Sequence, residues 1–206
     1  HNIKTEDLTE KQLRALLDAL ESEKNIQIRD IMKMALFTGM RRGEIFKLKW
    51  EDVDFRREMI TIRDPKGGQD QIIPMNALTR DLLENHPKLG ENPLVFPTDD
   101  GKQRKTIQHA ACDIRERAGL PKDFRPMHGL RHVFASALAS SGQVDMYTLQ
   151  RLLTHKSPLM TQRYAHLRDE SLKRASALAG GIIEQIAKAE PARLDVSTQR
   201  NRRKTK

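Results

Sequence analysis

The chain has 206 residues, one cysteine and a formal net charge of +9, which suits one sizeable domain with its own core and is too short to promise two. The excess charge implies a polyanionic partner, nucleic acid ahead of an anionic membrane surface. The longest uncharged stretch, residues 133–144, is too short to span a bilayer. Cys112 has no partner for an internal disulfide and reads as an inert buried thiol in a reducing, cytoplasmic setting.

In chain order, Thr9 and Gln12 form a capping-box pattern with Leu8 and Leu13 in staple positions, opening a helix with Leu13, Leu16, Leu17 and Leu20 on one face. A second helix is expected over residues 27–37, ending at Thr38 and Gly39, and a short third over 42–48, so that Arg41 falls at a junction. Residues 59–63 and 71–75 read as strands joined by a Pro- and Gly-bearing loop that carries Lys66, and residues 50–55 as a third strand. Beyond Ala77 helical patterns dominate, with a polar connection over 86–102. Helices are expected over 105–118, 128–140, 145–154, 157–164 and 169–189. Residues 193–206 hold six basic residues and one Asp, a basic tail with no apolar periodicity that is expected to be disordered when free.

The chemistry-bearing residues concentrate around Tyr164, nine positions after His155. A phenol with an ordinary pKa of roughly 10 is a reluctant nucleophile near neutrality and needs neighbouring cations or a proton acceptor. Tyr147, the other tyrosine, lies in an amphipathic run and reads as packing. His128 and Arg131, three apart on a helical pattern, share one face. A zinc site built from His128 and His132 is a rival reading, weakened by the single cysteine and the lack of an evident third ligand.

Thr38-Gly39-Met40-Arg41-Arg42-Gly43-Glu44, His128-Gly129-Leu130-Arg131-His132 and Leu152-Leu153-Thr154-His155 followed by Tyr164 resemble, in order and spacing, the catalytic boxes of the tyrosine recombinases, or phage-type integrases. The resemblance covers about residues 5–175. It departs from the family pattern at Thr154, where Gly is usual. It implies a mainly α fold with a small antiparallel β-sheet (α+β), the DNA breaking-rejoining fold. Residues 1–190 would be the catalytic domain and 191–206 the basic tail, without the family's separate N-terminal core-binding domain.

By the same resemblance Tyr164 is the nucleophile, Arg41 and Arg131 clamp the scissile phosphate, and His155 hydrogen-bonds it. His128 assists proton transfer, Lys66 protonates the leaving 5′ oxygen, Glu44 supports Arg41, and His132 is a spectator. No metal or other cofactor is implied. The implied partners are double-stranded DNA sites, a homo-tetramer on synapsed DNA and accessory DNA-bending proteins. A type IB topoisomerase shares this chemistry, and a catalytically silent DNA-binding module is the rival from another class.

Overall fold

The computed structural model describes residues 7–63 and 68–188. Lys66 and the basic run at 193–206 therefore lie outside the described residues. The chain divides into two compact units, His1–Arg168 and Asp169–Lys206.

The first unit opens with α1 (Glu10–Glu21), where the Thr9 hydroxyl accepts from the Gln12 backbone N–H and the Gln12 side chain accepts in return from that of Thr9. α2 (Ile26–Thr38) starts from the Asn25 side chain and buries Ile31, Met32, Met34 and Ala35 completely. Such a helix, apolar on most sides, belongs at the centre of a domain. It packs against α6 (Pro126–Ser141). Around this pair lie α3 (Arg42–Lys47), α4 (Ala77–Asn85), α5 (Gln108–Arg117), α7 (Met146–Leu152) and α8 (Leu159–Gln162).

A three-stranded antiparallel sheet, β1 (Val53–Asp54), β2 (Met59–Ile62) and β3 (Gln71–Pro74), has the order β1-β2-β3 with Ile60 opposite Ile73. Mainly α with a small antiparallel sheet is the expected class. The strand expected over 50–55 shrinks to two residues, because Trp50–Asp52 forms a 3-10 turn. Asp52 accepts from the Lys49 backbone N–H and from Arg63 Nε at 2.5 Å, a local pairing that competes with a sheet ladder. α5 begins three residues later than expected, after the Thr106 hydroxyl accepts from the Gln108 N–H. α8 has only four residues, since the Tyr164 N–H bonds the Thr161 carbonyl and tightens the chain towards the 3-10 turn at Ala165–Arg168.

Tyr147 is 68% exposed, not packed as expected. On the seven-residue α7 it is Leu149 that turns inward, and a helix places residues two apart on different faces. Cys112 is half-buried, with the Gln108 amide 3.2 Å from its sulfur. A main core spans α1, α2 and the sheet, and a second cluster holds Ala135, Ala139, Leu149, Leu153 and Tyr164. Among the described residues no helix is long and apolar enough to cross a membrane. In the second unit, α9 (Asp169–Lys188) is amphipathic and leaves Leu172, Leu178, Ile182 and Ile183 exposed.

Candidate active site

Arg41 and Arg131 meet where α2 ends. Gly39 closes that helix at φ +67°, and a Cβ there would stand 2.5 Å from the Phe134 ring. Only glycine fits both demands. The turn frees the Gly39 carbonyl to accept from Arg131 Nη1 at 2.5 Å, while Arg131 Nη2 donates to the Leu153 carbonyl. Arg131 is 5% exposed. Burial and the neighbouring charge of Arg41 pull its pKa down to about 10, which leaves it cationic at neutral pH.

Arg41 caps α3, and Glu44 holds it from both ends: one carboxylate oxygen accepts from the Arg41 backbone N–H and the other from Nη1, each at 2.8 Å. Nη1 also donates to the Thr154 hydroxyl at 2.6 Å and to its carbonyl at 3.2 Å. Thr154 sits at φ +50°, a left-handed conformation costly for a β-branched residue.

His155 follows that turn. Its Nδ1 lies 2.8 Å from the Thr161 hydroxyl. Burial, then the charges of Arg131, Arg41 and Arg163, depress its pKa to about 3, so the ring is neutral at working pH. In the tautomer whose Nδ1 accepts from Thr161, the proton resides on Nε2 and is available as a donor.

Tyr164 is 2% exposed, with its ring in the second core cluster. Burial raises the pKa of the phenol despite the opposing charges of Arg163 and Arg131. Its Oη lies 2.6 Å from His132 Nδ1, and His132 Nε2 lies 2.9 Å from His128 Nε2. His128 and His132 share a face of α6, which packs tightly at Gly129, where a Cβ would stand 2.5 Å from the Phe124 ring. His132, expected to be a spectator, is thus the side chain hydrogen-bonded to the phenol. The four-residue spacing from His128 was a readable sign that the two imidazoles meet. Their Nε2 atoms face each other, and among the described residues no group of three or more His, Cys, Asp or Glu side chains could hold a metal ion.

Arg41, His128, Arg131, His132, His155 and Tyr164 all line one cleft of about 890 Å³. Arg42, Arg115, Lys122, Arg125 and Arg163 line it too, and among the described residues no carboxylate does. Such a wall fits an anion with several oxygens, and Arg suits phosphate because its fork meets two oxygens at once. Five of the six expected site residues therefore converge here, whereas Lys66 is outside the described residues.

Residues 6–171 match the model of the phage integrase family. The tyrosine recombinase XerD of Vibrio vulnificus is 32% identical over 179 residues, which cover 81% of this chain and 58% of that protein. The chain thus spans little more than half the length of that relative. Among solved structures, the catalytic domain of bacteriophage HP1 integrase superposes with a TM-score of 0.63 at 26% identity, covering 83% of this chain and 93% of that one. The XerH site-specific recombinase bound to its difH substrate, in a pre-cleavage complex, gives a TM-score of 0.69 at 25% identity, covering 85% of this chain and 55% of that one. A cleft that gathers arginines, histidines and Tyr164 on this fold and a family match over most of the length agree: the chain belongs to the phage integrase family, that of the tyrosine recombinases.

Proposed function

We propose that the chain carries the catalytic centre of a site-specific DNA recombinase, with residues 1–190 as the catalytic domain and 191–206 as a basic arm. The carrying observation is the phenol of Tyr164 in a cleft that gathers Arg41, Arg131 and His155 with no lining carboxylate among the described residues. Tyr164 Oη attacks the scissile phosphorus and gives up its proton with the assistance of His128, the P–O bond to the 5′ oxygen breaks, and Lys66 gives that oxygen a proton. Arg41, Arg131 and the Nε2–H of His155 stabilise the added negative charge, the step at which fixed donors contribute most. The product is a 3′-phosphotyrosyl ester and a free 5′ hydroxyl. Because the ester conserves the energy of the broken linkage, a 5′ hydroxyl from another strand can displace Tyr164 with neither nucleotide nor metal.

The XerH complex with difH supports double-stranded DNA sites as the substrate. Exchange between two duplexes calls for a homo-tetramer on synapsed DNA, assisted by accessory bending proteins, on DNA in the cytoplasm of a bacterial or phage-infected cell.

The test is capture on a library of nicked duplexes with randomised sequence, in which loss of the short fragment traps the ester. An SDS-stable adduct mapping to Tyr164, absent in Tyr164→Phe, is expected, with the captured duplexes converging on one sequence. An adduct at Tyr147, or none, would overturn the reading. Relaxation of any supercoiled plasmid without site preference would mark a type IB topoisomerase instead.

A further inference from the structure

We propose that His132 is a further catalytic residue, the relay that takes the phenolic proton of Tyr164 and passes its own to His128. The inference rests on the proposed function, since it concerns how that nucleophile is made.

The contacts form a continuous line: Tyr164 Oη to His132 Nδ1 at 2.6 Å, then His132 Nε2 to His128 Nε2 at 2.9 Å. Both are ordinary hydrogen-bond lengths, and a neutral imidazole holds one proton and one lone pair on opposite sides of its ring. In the reactive tautomer, Nδ1 of His132 accepts the phenolic O–H and Nε2–H donates to Nε2 of His128. As Oη attacks phosphorus, the Oη–H bond breaks and Nδ1–H forms. At the same time Nε2–H of His132 breaks and Nε2–H of His128 forms. His132 ends neutral in its other tautomer, the charge rests on His128, and no external acceptor is needed.

A third contact selects the direction. Arg163 Nη1 lies 3.3 Å from His132 Nε2. A guanidinium N–H can only donate, so this hydrogen bond is made while His132 Nε2 carries a lone pair; it is given up in the reactive tautomer and regained once the proton has passed to His128. Arg163 therefore favours the state in which Nδ1–H of His132 points at the phenolate oxygen. His132 is 3% exposed and Tyr164 2%, so bulk water is a poor competitor for the role. The residue next to the nucleophile thus has a task of its own in making it reactive.

The experiment uses a duplex captured by wild-type protein and measures the single-turnover rate of adduct formation. General acid–base help is worth on the order of 10²–10⁴-fold, so His132→Asn, which keeps a polar group near Nδ1 but cannot shuttle a proton, should slow the reaction at least about 100-fold. The chain has two tyrosines. In Tyr147→Phe protein, biosynthetic 3,5-difluorotyrosine therefore enters at Tyr164 alone and supplies a more acidic phenol. It should recover most of the His132→Asn loss and little of an Arg41→Ala loss. That recovery also establishes that the variant is folded, and His132→Gln should behave the same way.

A His132→Asn rate within about threefold of wild type, or a defect equal for the natural and the fluorinated phenol, overturns the relay while the proposed function stands. Absence of any wild-type adduct overturns both.

Discussion

The Thr154 hydroxyl lies 2.6 Å from Arg41 Nη1, across 113 residues of sequence, and the same residue holds its backbone at φ +50°. Glu44 shares the contact, with its carboxylate 3.3 Å from that hydroxyl and 2.8 Å from Nη1. The position where the family pattern has glycine is therefore occupied by a side chain that anchors Arg41, the arginine proposed to clamp the scissile phosphate. A left-handed non-glycine residue costs about 1–2 kcal/mol, and a hydrogen bond from a charged donor returns about 1.5–3 kcal/mol.

Two substitutions separate these effects. Thr154→Ala keeps the strain and loses the hydroxyl, so it should destabilise the protein by about 2 kcal/mol in urea unfolding. Thr154→Gly also relieves the strain and should stay within about 1 kcal/mol of wild type. Both should slow adduct formation roughly tenfold, as Arg41 loses an anchor that fixes its aim. Wild-type rates in Thr154→Ala would remove the hydroxyl from the machinery.

His155 carries a pH prediction. Its pKa is held down to about 3 by burial first and then by the surrounding cations, Arg131, Arg41 and Arg163. In the DNA-free protein its ring resonances should not report protonation as pH falls from 8 to 5. An unfolded chain protonates the same ring near pH 6.5, so between those two values acid binds the unfolded state more than the folded one. The His155 contribution thus disfavours folding progressively as pH drops through that interval. Thr161→Val, which removes the hydroxyl that fixes the tautomer, should slow cleavage roughly tenfold with little loss of stability. A His155 midpoint near 6.5 in a nuclear magnetic resonance titration would refute the neutral donor.

Much of this site is legible in the residues themselves, because Arg41, His128 with Arg131, and His155 with Tyr164 sit in short local patterns. The capping box at Thr9 and Gln12 and the stop at Gly39 are equally local. What escapes is set by packing between distant elements. His132 meets Tyr164 across 32 positions only because α6 runs beside the turn after α8. Likewise the third strand is shortened to Val53–Asp54 by Asp52, whose choice of Lys49 and Arg63 as partners depends on β2 lying alongside. Periodicity places side chains on faces, but it does not say which faces touch.

Asp30 and His86 form a buried pair far from the cleft in sequence, with His86 Nδ1 2.7 Å from the carboxylate and Arg29 Nε at 2.8 Å. Burial pushes Asp30 upward, but the hydrogen bonds from His86 and Arg29 outweigh it and hold the carboxyl below its ordinary value. A carboxylate with a lowered folded pKa contributes stability that is fully present above its unfolded value, roughly 3.9, and is lost as pH falls through the folded one. His86→Ala should cost about 2 kcal/mol at pH 7, since the buried carboxylate keeps Arg29 but loses its other partner, while Asp30→Asn should flatten the acid limb of the stability curve below pH 4. An unchanged acid limb in Asp30→Asn would assign acid unfolding to other carboxylates.

Arg104 marks where DNA is expected to run beyond the scissile phosphate. A second cleft of about 500 Å³ adjoins Arg41 and is lined by Arg42, Lys47, Arg63, Arg104 and Lys105. Glu44 lines it too, but both its oxygens are already engaged by Arg41. Nε and Nη2 of Arg104 are buried without a hydrogen-bond partner among the described residues. Burial lowers its pKa, and the charge of Asp99 offsets only part of that. A backbone phosphate lying in this cleft would pair with the guanidinium that lines it, so Arg104 is expected to hold one. Each neutralised phosphate on duplex DNA contributes about 0.9 to the slope of log affinity against log salt. Arg104→Ala should therefore reduce that slope by about 1 on a 30-base-pair duplex of arbitrary sequence, and weaken all sequences alike. An unchanged slope with a lowered melting temperature would make Arg104 a packing residue and leave the second cleft outside the DNA path.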